Sequence, residues 1–369
     1  MKGCIWRRRI VRFGSFIRHT EYNPFQGRRM RMKVYEIRER FGLDALTLTE
    51  RPQPQPGPQE VLVRLKAASL NYRDLLVVKG QYNPKMPLPR IPLSDAAGEV
   101  AAVGPGVSRV KMGQRVAALF MPKWISGDLD ETKAKSALGG AVDGLLAEYA
   151  VLHEEGLVQV PDHLSFEEAA TLPCAAVTAW HALVTEGHVK PGDTVLLQGT
   201  GGVSLFALQF ARLAGARVFI TSSSNAKLER ARQLGAAEGI NYKETPEWGD
   251  KVREWTGGRG VDHVVEVGGA GTLGQSLRAV RMGGQISLIG VLSGPGQVNP
   301  MPILMKNVRV QGIFVGSREM FEAMNRAIVA NQLRPVIDRV FSFAEAVHAF
   351  RYMESAAHFG KICIRIDGC

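Results

Sequence analysis

An apolar run, Thr194-Val-Leu-Leu-Gln198, meets a cluster of glycines, Gly199-Thr-Gly-Gly202, and the next residues, 203–214, are spaced as a helix. No other stretch narrows the fold as much. A short buried-type strand, a glycine turn and a helix open a βαβ unit, and the alternation continues down the chain. Apolar runs at 217–221, 261–267 and 285–289 alternate with helical stretches at 226–234, 247–255 and 273–280. Regular alternation predicts an α/β fold with a doubly wound parallel sheet, because parallel strands need crossover helices. A further strand at 308–315 and a helix at 318–330 follow. The last run, 361–366, reads as a strand that returns to an earlier part of the chain.

That earlier part has a different character. Short β-type runs at 61–65, 98–103, 115–119 and 146–152 are separated by prolines and glycines, and residues 32–37 read as the first strand. Pro52-Gln-Pro-Gln-Pro-Gly-Pro58 is a stiff turn or linker. Such spacing predicts a small β-rich domain. A chain of 369 residues accommodates both domains, each with its own core.

The glycine spacing is Gly199-x-Gly201-x-x-Ser204. In a dinucleotide-binding turn the first glycine makes the tight bend and the second lets the backbone approach the pyrophosphate. Gly202 and Val203 then start the helix, whose free N–H groups and dipole favour an anion. Serine stands where a third glycine normally allows close helix–strand packing; its side chain is small enough to fit with slight adjustment. At the end of the next strand an NAD site carries an acid for the ribose hydroxyls. Here that strand ends Ile220-Thr-Ser-Ser-Ser-Asn225, with no acid. Ser222 and Ser223 can donate hydrogen bonds to a 2′-phosphate and Lys227 can add charge, so NADPH is expected over NADH. The plain alternative for Lys227 is a solvated helix residue.

The formal net charge of +11 raises a nucleic-acid reading, but the charge is unevenly placed. Residues 1–31 hold nine basic side chains against one acid, Glu21, and so carry +8 of it. The remainder is too weakly and diffusely basic to form a nucleic-acid footprint. The first 31 residues read as a basic, disordered leader or as sequence upstream of the true start, with Met30 and Met32 as alternative starts. No apolar run is long enough for a membrane span. The four cysteines, at 4, 174, 363 and 369, form no CxxC pair, and the eight histidines show no ligand spacing. Neither a disulfide framework nor structural zinc is indicated, and a reducing, cytoplasmic setting is expected.

Several short motifs occur together: Gly98-Glu-Val-Ala-Ala-Val-Gly104, Gly113-Gln-Arg-Val116, Asp143-Gly-Leu-Leu-Ala-Glu-Tyr149, Thr178-Ala-Trp-His-Ala182 and His358-Phe-Gly-Lys361. With the glycine turn, they make residues 32–369 resemble a medium-chain dehydrogenase/reductase, the superfamily of alcohol dehydrogenases and quinone oxidoreductases. The resemblance implies a GroES-like catalytic domain, 32–178 completed by 317–369, around a Rossmann domain, 179–316. The cleft between them would hold nicotinamide and substrate. It also implies a homodimer formed through the strand near 308–315.

Zinc is the branch point. By resemblance, the ligand positions of zinc-dependent members fall on Asn71, Ser94 and Cys174. An amide and a hydroxyl are poor zinc ligands beside thiolate and imidazole, and Cys174 alone reads as a packing cysteine. Residues 120–140 contain no cysteine, so the lobe that holds structural zinc in many relatives has no counterpart. The chain therefore resembles the zinc-free quinone oxidoreductase branch. There Asn71 and Tyr82 match positions lining the nicotinamide cleft, and Thr178 matches a threonine that contacts the ring. Tyr242 matches a residue near the adenosine phosphate. Gly290, Val291 and Val315 would flank the nicotinamide, and Lys361 would approach the pyrophosphate. Tyr82 has a loop-packing alternative, and Asp74 and Asp95 read as structural braces. The expected activity is hydride transfer from NADPH to a quinone, an enone or an aldehyde without catalytic zinc. The alternatives are an NAD(P)-dependent alcohol dehydrogenase, a standalone enoyl reductase and a non-enzymatic NADPH-binding sensor.

Overall fold

The change of pattern near residue 190 separates the two large sheets of the computed structural model, which describes residues 30–290 and 292–366; a third sheet is the antiparallel pair of residues 31–37 and 46–52. The expected leader lies almost wholly outside the described residues, as does Val291. Upstream of the change lie β1 (Arg31–Ile37), β2 (Leu46–Pro52), β3 (Glu60–Leu70), β4 (Asp95–Val103), β5 (Arg115–Ala118), β6 (Tyr149–His153) and β7 (Leu157–Gln159). Downstream come β8 (Thr194–Gln198), β9 (Arg217–Ser222), β10 (Glu238–Asn241), β11 (Val261–Glu266), β12 (Val280–Leu288) and β13 (Arg309–Gly312). The tail adds β14 (Ile337–Ser342) and β15 (Lys361–Arg365).

β8 to β13 form one parallel sheet in the order β10-β9-β8-β11-β12-β13. β8 is buried almost throughout, which is why it reads as a continuous apolar run rather than an alternating one; β11 is equally buried but carries Asp262, His263 and Glu266. The chain leaves β8 in one direction and returns to β11 on the other side, so the strand order reverses between these two neighbours. Ligands of open α/β sheets bind outside the carboxyl ends of the strands at such a point. The helix after β8, Gly202–Leu213, buries Leu205, Phe206, Leu208 and Phe210. Each large side chain of this kind contributes about 1.5–3 kcal/mol on burial.

The tail joins the first sheet, whose order is β14-β15-β3-β4-β5-β7, with β6 also on β3. β15 pairs antiparallel with β3, Ile362 opposite Leu70 and Ile364 opposite Ala68. That register sets Lys361 beside the end of β3, where Asn71 caps the helix Tyr72–Val78. One apolar cluster spans both sheets, joining Ala67, Ala97 and Ala117 to Val195, Leu197 and Phe206.

The structure corrects several expected bounds. β10 and β14 were not foreseen: β10 is four residues long and contains Gly239 and Asn241, and β14 carries two adjacent charged residues, Asp338 and Arg339, that break any alternation. The strand expected at 285–289 begins at Val280, where a register shift against β11 hides its first half from any periodicity. The one expected at 308–315 shrinks to Arg309–Gly312, because the backbone breaks before Val315, which sits at φ +59°. Among the described residues no helix is long and apolar enough to cross a membrane.

Candidate active site at the carboxyl edge of the parallel sheet

Gly199 bends the chain at φ +67°, a region that disfavours any side chain. A Cβ placed at Gly199 or Gly201 would meet nothing within 4 Å, so the space before the turn is open. At Gly202 the reverse holds: a Cβ would lie 2.6 Å from Lys361 Cδ. The glycine there lets the tail strand pass. Gly201 bridges Gly360, whose N–H donates to the Thr200 carbonyl at 2.9 Å. Ser204, at the third motif position, is buried and donates its hydroxyl to the Gln198 carbonyl at 2.6 Å. The extra polar atom is thus satisfied within the turn, and serine substitutes for glycine without an orphaned donor. Val203, half-buried, follows as the second helical residue.

Two buried side chains tie the turns after β8 and β11 together, and sequence reasoning missed both. Glu266 is fully buried. It accepts from the N–H groups of Gly268 and Gly269, from Thr272 and Ser276 hydroxyls, and from Gln198 Nε2 at 2.6 Å. Gln198 Oε1 accepts from Val267 and Gly268 N–H. A glutamate at the end of a wholly buried strand was the available signal: a buried carboxylate persists only when fully hydrogen-bonded. Gly290 packs on this turn, since a Cβ there would lie 2.1 Å from the Val267 carbonyl.

At the β9 end, Tyr242 N–H donates to the Ser222 carbonyl at 3.0 Å, which brings Ser222, Ser223 and Tyr242 together. The Ser222 side chain is buried and faces the Ser224 N–H at 3.4 Å. Ser223 is part-exposed, and Tyr242 is 41% exposed. Lys227 is bound differently. Its Nζ donates to the Ala356 carbonyl at 2.7 Å, and desolvation lowers its pKa although Asp338 opposes this. His358 lies beside it, its pKa lowered by burial and by the Lys227 charge.

At the other end, Lys361 is 2% exposed, and its ammonium donates to the Leu70 carbonyl at 2.7 Å and to Asn71 Oδ1 at 2.6 Å. Because an ammonium only donates, the oxygen of the Asn71 amide must face it and Nδ2 must face away. Nδ2 is buried with no hydrogen-bond partner. Asp95 braces this region as expected, accepting from the Ser94 hydroxyl at 2.7 Å and the Cys174 N–H at 3.1 Å. Burial raises its pKa, while Lys361 and these hydrogen bonds pull it back. Asp74 accepts from the Asn71 N–H at 2.8 Å, and burial pushes its pKa up to about 6. Thr178 is buried in a short α-helical stretch, Val177–Trp180, between two π-helical turns, Leu172–Ala176 and His181–Thr185. The second turn supplies His181, whose Nδ1 meets the Val315 carbonyl at 2.7 Å and whose pKa is lowered by burial. Val315 is therefore held in its left-handed conformation by the residue three after Thr178. Tyr82 is 45% exposed.

At the three positions that the resemblance matches to zinc ligands, the Asn71 oxygen is taken by an ammonium and the Ser94 hydroxyl by Asp95. The Cys174 thiol is pushed up by burial and by the Asp95 carboxylate, which opposes the thiolate a metal needs. Among the described residues no group of three His, Cys, Asp or Glu side chains could hold a metal ion.

These observations meet in the comparison with known proteins. Residues 57–162 match the alcohol dehydrogenase GroES-like domain, and residues 202–330 match the zinc-binding dehydrogenase domain. The chain belongs to the medium-chain dehydrogenase/reductase superfamily and is an oxidoreductase. It is 48% identical over 88% of its length to a zinc-type alcohol dehydrogenase-like protein of Schizosaccharomyces pombe, 96% of which is covered. It is 29% identical to the quinone oxidoreductase of Pongo abelii, over 86% of this chain and 92% of that one. A solved NAD-dependent alcohol dehydrogenase superposes with a TM-score of 0.84 at 37% identity, covering 91% of this chain and all (100%) of that one. The 2-octenoyl-CoA carboxylase reductase CinF, solved with NADP and 2-octenoyl-CoA, does so at 0.81 and 27% identity, covering 91% and 87%.

Proposed function

We propose that this oxidoreductase is an NADPH-dependent reductase that delivers a hydride to a quinone, an enone or an aldehyde without catalytic zinc. The observation that carries this reading is the buried Lys361–Asn71 pair. It places a fixed positive charge against the first would-be zinc position, where a second cation is disfavoured. The open Gly199–Gly201 turn and the start of its helix, Gly202 and Val203, suit a pyrophosphate. Ser222, Ser223 and Tyr242 border a 2′-phosphate site with Lys227 nearby, and Thr178, Gly290 and Val315 border the nicotinamide. When bound, the cofactor supplies the hydride. The protein's own part is to orient the acceptor and to stabilise the oxyanion that develops on it. Tyr82, at the exposed mouth, donates its hydroxyl to that oxygen. Asn71, pinned through Oδ1 by Lys361, positions the wall beside it. An activated acceptor needs less polarisation than a plain ketone, which disfavours simple alcohol oxidation.

In this reading residues 32–178 and 317–369 form the catalytic domain and 179–316 the cofactor domain. β13, at the edge of the parallel sheet, joins two copies into a homodimer.

The test is NADPH oxidation by metal-analysed protein, with NADH in parallel, against a benzoquinone, a naphthoquinone, an enone and an aldehyde. Acceptor-dependent NADPH loss in a zinc-free sample is expected. Stoichiometric zinc overturns the reading, and so does NADPH binding with no turnover of any acceptor. Tyr82→Phe should lower kcat by about a hundredfold, the lower end of the range for loss of an oriented proton or hydrogen-bond donor; an unchanged kcat removes Tyr82 from the chemistry.

A further inference from the structure

A cavity of about 190 Å³ lies beside Phe314, walled in part by Arg73, Tyr82, Met86, Ala137 and Gly140. Arg73 is the charged residue of this wall, and its side chain is only 11% exposed. Its guanidinium is held in place on two sides. The ring centroids of Tyr82 and Phe120 lie 5.1 Å and 4.7 Å from it, and Nη1 donates to the Leu138 carbonyl at 2.7 Å. Its hydrogen-bonding capacity is otherwise unused. Nε is buried without a partner, and Nη2 has no hydrogen bond to any described residue. Gly140 keeps Nη2 clear, since a Cβ there would lie 2.3 Å away. The adjacent carboxylate, Asp74, approaches Nη1 only to 3.7 Å, beyond hydrogen-bond distance.

A guanidinium cannot shed its proton, so a buried one needs acceptors. Aromatic faces attract the charge but accept none of its in-plane N–H bonds. A positioned guanidinium with its Nη2 donor free, on a small cavity whose wall carries no other charge, fits a monoanion, which Asp74 at 3.7 Å leaves room for. A phosphate dianion would call for a second cation, and this wall has none.

We propose that Arg73 is a specificity-determining residue that binds the carboxylate of the acceptor, so that the preferred substrate is a small carbonyl or enone acid. This inference rests on the reductase reading above. The position supports it: Asn71 lies two residues before Arg73, Tyr82 forms part of the same wall, and Phe314 immediately precedes Val315.

The test uses a matched pair, 4-oxopent-2-enoate and its methyl ester, with the full-length protein, Arg73→Met and Arg73→Lys. Methionine keeps an unbranched stem against the two rings and removes the charge. The ratio of kcat/KM for acid over ester should fall by about tenfold to a hundredfold in Arg73→Met. The loss should lie mainly in KM, with partial recovery in Arg73→Lys. Equal losses on acid and ester, with the ratio unchanged, would mean that Arg73 only holds the loop, and would overturn the proposal. Binding of 4-oxopentanoate, followed by calorimetry with and without NADP, separates this result from a failure of the reductase reading. Binding to the wild-type protein that Arg73→Met loses sustains the carboxylate site even where neither acceptor turns over. Equal or absent binding in both proteins overturns it.

Discussion

At the scale of single residues, the site is organised by buried charge. Asp74 shows the sign of the effect. Its carboxyl, fully buried, is raised from 3.8 to about 6, so the folded chain holds the proton more tightly than the unfolded one. The stabilisation is complete below the unfolded pKa and is lost as the pH rises through about 6. Asp74→Asn keeps an acceptor for the Asn71 N–H and removes the titration. Between pH 4 and pH 7 its unfolding free energy should therefore fall by about 2 kcal/mol less than that of the wild type. Urea titrations at the two pH values measure this, and equal falls would refute it. Ser222 and Ser223 differ in a way that spacing could not reveal. Ser222 is buried and Ser223 part-exposed, so an acid is tolerated better at Ser223. Ser223→Asp should shift the kcat/KM ratio towards NADH by at least about tenfold through repulsion of a 2′-phosphate; an unchanged ratio would place the phosphate elsewhere.

At the scale of elements, the motifs that mark the family prove to be largely steric. Gly104 closes the first of them at the end of β4, where a Cβ would lie 1.8 Å from the Gly57 carbonyl. Gly104→Ala should cost about 2–3 kcal/mol by forcing the Pro-rich turn away from the strand. A midpoint in urea within error of the wild type would show that the turn yields freely. The same reasoning covers Gly360, at φ +88° with the Val336 carbonyl 2.4 Å from a would-be Cβ. Such positions dictate where backbones touch and leave the acceptor unspecified, which is why these motifs identify a superfamily better than a substrate. The elements legible in the sequence were those with strong local signals. β8, with its apolar run and glycine turn, was read to the residue. β10 and β14 were not, because their pairing to β9 and β15 rather than their own composition makes them strands.

For the whole molecule, the return of the tail is the decisive feature. β15 lies on β3 and delivers Lys361 past Gly202 to Asn71, so one buried side chain connects the glycine turn with the opposite wall of the site. An edge strand with open hydrogen-bonding groups asks for a cover. β13 is such an edge, and Leu304 and Met305, just before it, are exposed. Sedimentation at micromolar concentration should accordingly give twice the chain mass; a monomer there would mean that the edge is left open or covered otherwise.

By itself the sequence determined the α/β alternation, the glycine turn and the β-rich first half. These follow from local periodicity and from residue chemistry, which need no partner to be read. Only the tertiary structure decided which carbonyl receives the Ser204 hydroxyl and why Glu266 is buried. It also decided that Lys361 faces Asn71 and that Arg73 keeps free donors toward a cavity. Each of these depends on atoms brought together from distant parts of the chain. Nothing in the spacing of one segment records what another segment will place against it.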